Sequence, residues 1–175
     1  LGREEGMAHF CEHITFKGTE RRSSMKILGH LESVGGDLNA FTNKEETVYH
    51  AAVLRDNIDR AVDLLTDIVF HSTYPQTEID KEVEVICDEI DSYKDSPSEL
   101  IFDEFEAMMF EGQPLGRDIL GNAERLRQYT TVDALRFARN YYRPTNAVFS
   151  VYGDVPFAQV ERVLDRLLPV ADFVQ

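Results

Sequence analysis

The stretch that decides the fold reads Gly6-Met7-Ala8-His9-Phe10-Cys11-Glu12-His13. His9 and His13 stand four residues apart, and Glu12 falls three residues after His9. Positions i and i+4 of an α-helix share a face, one turn apart. A helix here turns both imidazoles the same way, with Glu12 leaning toward them. Gly6 opens this helix, which is expected to run to about Phe16. Gly18, in Lys17-Gly18-Thr19-Glu20, breaks it.

The order H-x-x-E-H is the inverted form of a zinc-hydrolase signature. Two neutral imidazoles hold Zn²⁺ at about 2.0–2.1 Å, and a third ligand leaves one position open for solvent. A neighbouring carboxylate can then take a proton as water attacks a carbonyl. Cys11 lies two residues from His9, off the histidine face, so it is not counted as a ligand. Cys11 and Cys87 are too few for a disulfide framework and are read as buried, reduced core residues.

Outward from the motif, Ser23-Ser24 are expected to cap a second helix bearing Ile27, Leu28 and Leu31. Gly35-Gly36 ends it. Asp37 to Thr42 and Thr47 to Val53 read as two strands joined by a turn at Asn43-Lys44-Glu45, hence a hairpin. Asp56 is expected to cap a helix bearing Ile58, Val62, Leu65, Ile68 and Val69. Thr77 with Asp80 resembles a capping box for a helix over Glu78 to Tyr93, with Ile79, Val83, Ile86 and Ile90 on one side. Ser96-Pro97 opens a helix running to Phe110. A loop over Gly112 to Gly121, a short helix near Arg125 and a longer one over Val132 to Tyr142 follow. Ala147 to Asp154 reads as a last strand, and Pro156 opens a final amphipathic helix.

The fold class is therefore α+β, a small, mostly antiparallel sheet packed with several helices in one domain over residues 1–175. Three strands are few for so many helices, which predicts that a first strand is missing upstream of Leu1. The 175 residues carry a formal net charge of −14, a surface that repels phosphate and argues against a nucleic-acid partner. No apolar run is long enough to span a bilayer.

The third ligand is sought on the Glu78–Tyr93 helix. Glu82 and Glu89 share a face, two turns or about 10 Å apart. One ion cannot be gripped by both, so one ligates and the other orients a histidine or the solvent molecule. Residue types alone leave that choice open.

Taken together, these segments resemble the zinc peptidases that include pitrilysin, insulin-degrading enzyme and the mitochondrial processing peptidase. His9 to His13 is similar to their H-F-x-E-H, and Phe16-Lys17-Gly18-Thr19 to the F-K-G-T that follows. Gly35-Gly36 with Asn39-Ala40-Phe41-Thr42 matches G-G-x-x-N-A-x-T. Glu45, Thr47, Val48 and Tyr49 match E-x-T-V-Y. Glu82, Val85-Ile86 and Glu89 match E-x-x-V-I-x-x-E, and Leu115-Gly116-Arg117 with Ile119-Leu120-Gly121 matches L-G-R-x-I-L-G. The resemblance covers nearly the whole chain in order.

It implies a zinc metalloendopeptidase domain, with His9, His13 and Glu89 as zinc ligands, Glu12 as general base and Glu82 as an outer carboxylate. It also implies that Asn39, Ala40 and Phe41 lie on an edge strand that binds the backbone of a peptide or unfolded-protein substrate. In this family a C-terminal half or partner closes over the site and donates an arginine and a tyrosine. The chain is accordingly expected to be an N-terminal piece of a longer enzyme, which on its own would bind zinc yet hydrolyse poorly. The rival expectation is a non-catalytic peptide-binding or assembly subunit of the same fold. A closed structural zinc site suits a carboxylate base less well.

Overall fold

A computed structural model describes residues 4–168. The first helix, α1 (Met7–Thr15), starts from Gly6 at φ 73°, in the left-handed region. Glycine is required there for a second reason. Gly121, itself at φ 76°, lies directly against it, and a Cβ added to Gly121 would sit 2.7 Å from the Gly6 Cα. The two glycines let the 112–121 loop clamp the start of the helix that carries the histidines.

The remaining elements are α2 (Ser24–Glu32), β1 (Asp37–Thr42), β2 (Thr47–Ala52), α3 (Ile58–Phe70), α4 (Gln76–Lys94), α5 (Pro97–Met109), α6 (Ala123–Leu126), α7 (Thr131–Tyr141) and α8 (Phe157–Leu167). Single 3-10 turns form at Arg55–Asn57, Pro114–Gly116 and Pro144–Asn146. β1 and β2 pair antiparallel, from Asp37 opposite Ala52 to Thr42 opposite Thr47. Their turn is held by Asn43, whose Oδ1 accepts from the Glu45 and Glu46 amides at 3.0 and 2.9 Å.

Two apolar clusters flank α1. Met7, Phe10, Cys11 and Ile14 of α1 pack with Ile79, Val83, Ile86, Cys87 and Ile90 of α4, and with Tyr74, Leu126, Tyr129 and Ala134. Each fully buried large aliphatic side chain contributes about 1.5–3 kcal/mol by leaving water. The second cluster joins Ile27 and Leu31 of α2 to Ala61, Leu64 and Ile68 of α3, beneath Leu38, Tyr49 and Ala51 of the hairpin. Both cysteines are free and buried, as expected.

Three local expectations are corrected. Ser23 and Ser24 stand at the start of α2, but the Ser23 side chain makes no cap hydrogen bond. Asp56 does not cap α3, because residues 55–57 form a 3-10 turn and Asn57 precedes the helix. Thr77 and Asp80 form no capping box. α4 starts earlier, after Pro75, and Gln76 bonds to Asp80 and to the Thr131 amide instead. The reciprocal box occurs at α7, between Thr130 and Asp133.

The strand expected over Ala147–Asp154 is also absent. Residues 147–154 pair with no strand among the described residues, and Val148 and Tyr152 stand fully in solvent. β-propensity favours extended backbone, but a ladder needs a second strand, and among the described residues only β1 and β2 form one. The observed sheet is therefore two-stranded.

A buried carboxylate fixes the exit of α1. Asp67 of α3 accepts from Thr19 Oγ1 at 2.8 Å, Arg21 Nε at 2.9 Å and Arg22 Nη1 at 2.5 Å. Burial would push its carboxyl up, but the hydrogen bonds from Arg22, Thr19 and Arg21 outweigh this and hold it below the usual value. A carboxylate depressed on folding contributes stability above its unfolded pKa of about 3.9, and that contribution is lost as pH falls through the folded value. Asp67→Asn is therefore expected to cost about 2 kcal/mol at neutral pH, since Thr19, Arg21 and Arg22 lose a buried charged acceptor while Asp63 still pairs with both arginines. In chemical denaturation the loss should shrink below about pH 4. A variant as stable as the parent at pH 7 would mean that the ion cluster contributes nothing net.

Candidate metal centre

α1 presents His9 and His13 on the face that meets α4, and α4 presents Glu82 and Glu89 back toward them. His9 is buried, His13 half-buried and Glu89 exposed at the rim. The Nε2 atoms of His9 and His13 face each other at 3.2 Å. Glu89 Oε2 lies 3.7 Å from His9 Nε2 and 3.4 Å from His13 Nε2. The three donor atoms form a nearly equilateral triangle.

That triangle fits a cation. Ligand atoms at about 2.0–2.1 Å from a tetrahedral zinc ion stand about 3.3 Å from one another. Without a cation, His9 Nε2 would have to carry its proton and donate it to His13 Nε2 or Glu89. Charge points the same way: Glu12, Glu82 and Glu89 bring three carboxyl groups to a site whose nearest ammonium is Lys17. Burial first, and His13 second, lower the His9 pKa to about 4, so His9 is a neutral imidazole at ordinary pH, the form a metal needs.

Glu82 does not reach the triangle. Its Oε1 lies 3.1 Å from His13 Nδ1, and Lys17 Nζ lies 2.6 Å from its Oε2. Burial raises the Glu82 pKa, but the hydrogen bonds from His13 and Lys17 win and it stays ionised. An ionised Glu82 accepts a hydrogen bond from Nδ1–H and so leaves the His13 Nε2 lone pair pointing into the site. His9 has no such support: its buried Nδ1 is without a hydrogen-bond partner among the described residues.

Glu12 is buried beside the histidines. Its Oε2 accepts from Thr42 Oγ1 at 2.5 Å. Burial pushes its pKa up, partly countered by the Thr42 hydrogen bond and His13, while Glu89 adds to the rise. A raised carboxyl pKa makes a stronger base near neutrality.

β1 carries the remaining residues singled out in the sequence. Asn39 and Phe41 face outward, while Ala40 and Thr42 are half-buried toward α1. The Ala40 N–H donates to Asn39 Oδ1 at 2.8 Å, so Asn39 makes a local bond with its own strand. The edge of β1 away from β2 has no strand on it among the described residues. A chain of hydroxyls supports the hairpin from below: Tyr142 to Tyr49 at 3.2 Å, Tyr49 to Thr15 at 3.2 Å, and Thr15 to the Cys11 carbonyl at 2.7 Å.

Sequence reasoning missed Lys17 and Thr42 as partners of Glu82 and Glu12. Both lie in motif segments, but neither type announces its partner. Lys17 follows His13 by four residues, which was the one available hint.

Comparison with known proteins agrees with this architecture. A sequence model described as Insulinase (Peptidase family M16) matches residues 2–123. An uncharacterized zinc protease of Rickettsia bellii is 37% identical over 164 residues, covering 94% of this chain and 40% of that protein. The β subunit of the mitochondrial processing peptidase of Neurospora crassa is 35% identical over 161 residues, covering 92% of this chain and 34% of its own length. The chain thus spans well under half of the curated relatives it matches. Among solved structures, a protease from Helicobacter pylori superposes with a TM-score of 0.89 at 24% identity, covering 95% of this chain and 40% of that one. The first half of the periplasmic protease PqqL from Escherichia coli gives 0.84 at 25% identity, with coverage of 96% and 37%. A family match over most of the chain, carried by the segments that build the histidine–glutamate cluster, means that this chain belongs to the insulinase family of peptidases, family M16.

Proposed function

We propose that this chain is the N-terminal catalytic domain of a zinc-dependent metalloendopeptidase. The observation that carries the reading is the convergence of His9 Nε2, His13 Nε2 and Glu89 Oε2 on one point, with Glu12 beside them. His9, His13 and Glu89 would hold the ion, and Glu82 would lock the tautomer of His13. A zinc ion held there supplies Lewis acidity that polarises the scissile carbonyl and makes water acidic near neutral pH.

The chain's own residues do the rest. Glu12 takes a proton from the attacking water as the new C–O bond forms, and returns it to the nitrogen as the C–N bond breaks. An extended peptide lies along the open edge of β1, its main chain adding to the sheet. To admit it, Asn39 gives up its bond to the Ala40 N–H, which then serves the substrate backbone. That alignment holds the scissile carbonyl against the site. A C-terminal half or partner subunit supplies further carbonyl stabilisation, consistent with the short span of the relatives covered here. Within the described residues no helix is long and apolar enough to cross a membrane.

The test uses the complete protein. Removal of metal by a chelator is expected to abolish peptide cleavage, and one equivalent of zinc per chain to restore it. Cleavage that persists in metal-free protein would refute the reading. Zinc bound at one per chain without cleavage in the complete protein would favour a non-catalytic peptide-binding role.

A further inference from the structure

The hairpin reaches Glu12 as well as presenting the edge for peptide. Thr42 is the last residue of β1, and Thr47, the first of β2, stands directly opposite it. Thr42 Oγ1 lies 2.5 Å from Glu12 Oε2 and 3.2 Å from Thr47 Oγ1. A hydroxyl has one proton to give, and an ionised carboxylate can only accept. The Thr42 proton therefore goes to Glu12, and Thr47 must donate to Thr42. Two hydroxyls in series point one way, toward Oε2 of Glu12.

We propose that Thr42, backed by Thr47, is a positioning residue for Glu12: it occupies Oε2, leaves Oε1 to take the proton, and ties the base to the peptide-binding strand. The inference rests on the assignment of Glu12 as the base. The strand that Asn39, Ala40 and Phe41 offer to peptide is the one whose final side chain orients the base, three residues from Asn39. A peptide pairing with β1 stiffens the strand and with it the Thr42–Glu12 bond. Base orientation and substrate binding thus share one rigid element.

The test compares Thr42→Val, which keeps the shape and removes the hydroxyl, with Thr42→Ser, which keeps the hydroxyl, in the complete zinc-loaded protein. Thr42→Val should lower kcat by roughly 10- to 100-fold with KM within about twofold, zinc remaining at one per chain, and Thr42→Ser should recover most of the rate. Affinity for an extended peptide, measured in the Glu12→Gln background, should change less than about twofold on adding Thr42→Val.

The proposal is overturned if kcat of Thr42→Val stays within about twofold of the parent, if Thr42→Ser is equally impaired, or if KM or peptide affinity carries the loss. Should Thr42→Val fail to fold, Thr47→Val answers the question. Lower kcat at unchanged KM supports the relay, and unchanged kcat overturns it. Glu12→Gln separates the two levels. If that variant still cleaves, the base assignment fails and this inference falls with it. If it is inactive while Thr42→Val is fully active, the positioning role alone is wrong.

Discussion

Replacing Glu12 by glutamine in the complete protein is expected to lower peptide hydrolysis by at least about 100-fold while zinc remains at one per chain. The substitution is nearly isosteric. Its carbonyl oxygen still accepts from Thr42, so the β1 contact survives. Its amide cannot take a proton, and that is the only function removed. Glu12 is also outside the donor triangle of His9, His13 and Glu89, so metal content should not follow activity. The measurement is kcat/KM on a quenched fluorescent peptide beside zinc analysis of the same sample. A rate within about tenfold of the parent would mean that another group carries the proton.

Glu89→Gln should show the opposite pattern, losing the metal first. Glu89 brings the only carboxylate to the triangle, and the amide that replaces it carries no charge. Zinc affinity in chelator competition is expected to fall by more than about 100-fold, because loss of an outer partner alone costs about 10- to 100-fold. Glu82→Gln provides that outer comparison, since Glu82 meets His13 at Nδ1 and leaves Nε2 to the site. A larger loss for Glu82→Gln than for Glu89→Gln would exchange the two roles. Glu89 is half exposed, so folding should be unaffected and the affinity readout clean.

Much of the site was legible because its first half is local. His9, Glu12 and His13 need only a helix to share a face, and Gly6 and Gly18 bound that helix in the sequence. The hairpin was legible for the same reason: alternating residues on either side of Asn43 can only fold back on themselves. Even the apolar side of α4 was correct, with Ile79, Val83, Ile86 and Ile90 all buried. The errors fell where local preference depends on what surrounds it. Thr77 is a good cap type, but the chain enters α4 from Pro75, two residues too early for Thr77 to serve. Residues 147–154 have the composition of a strand and no partner among the described residues to make them one.

From the sequence alone came the helix that pairs the two histidines, the hairpin, the α+β class and the choice of two glutamates. These follow from helical and strand periodicity, which any chain must obey wherever it lies. Which glutamate meets Nε2 and which meets Nδ1 was decided by where α4 crosses α1, and that is set by Met7, Phe10, Cys11 and Ile14 seating against Ile79, Val83 and Ile86. Packing likewise brought Thr42 to Glu12 and Asp67 to Arg21 and Arg22. No spacing along the chain encodes such meetings, because they depend on how close-packed side chains from distant segments fill one volume.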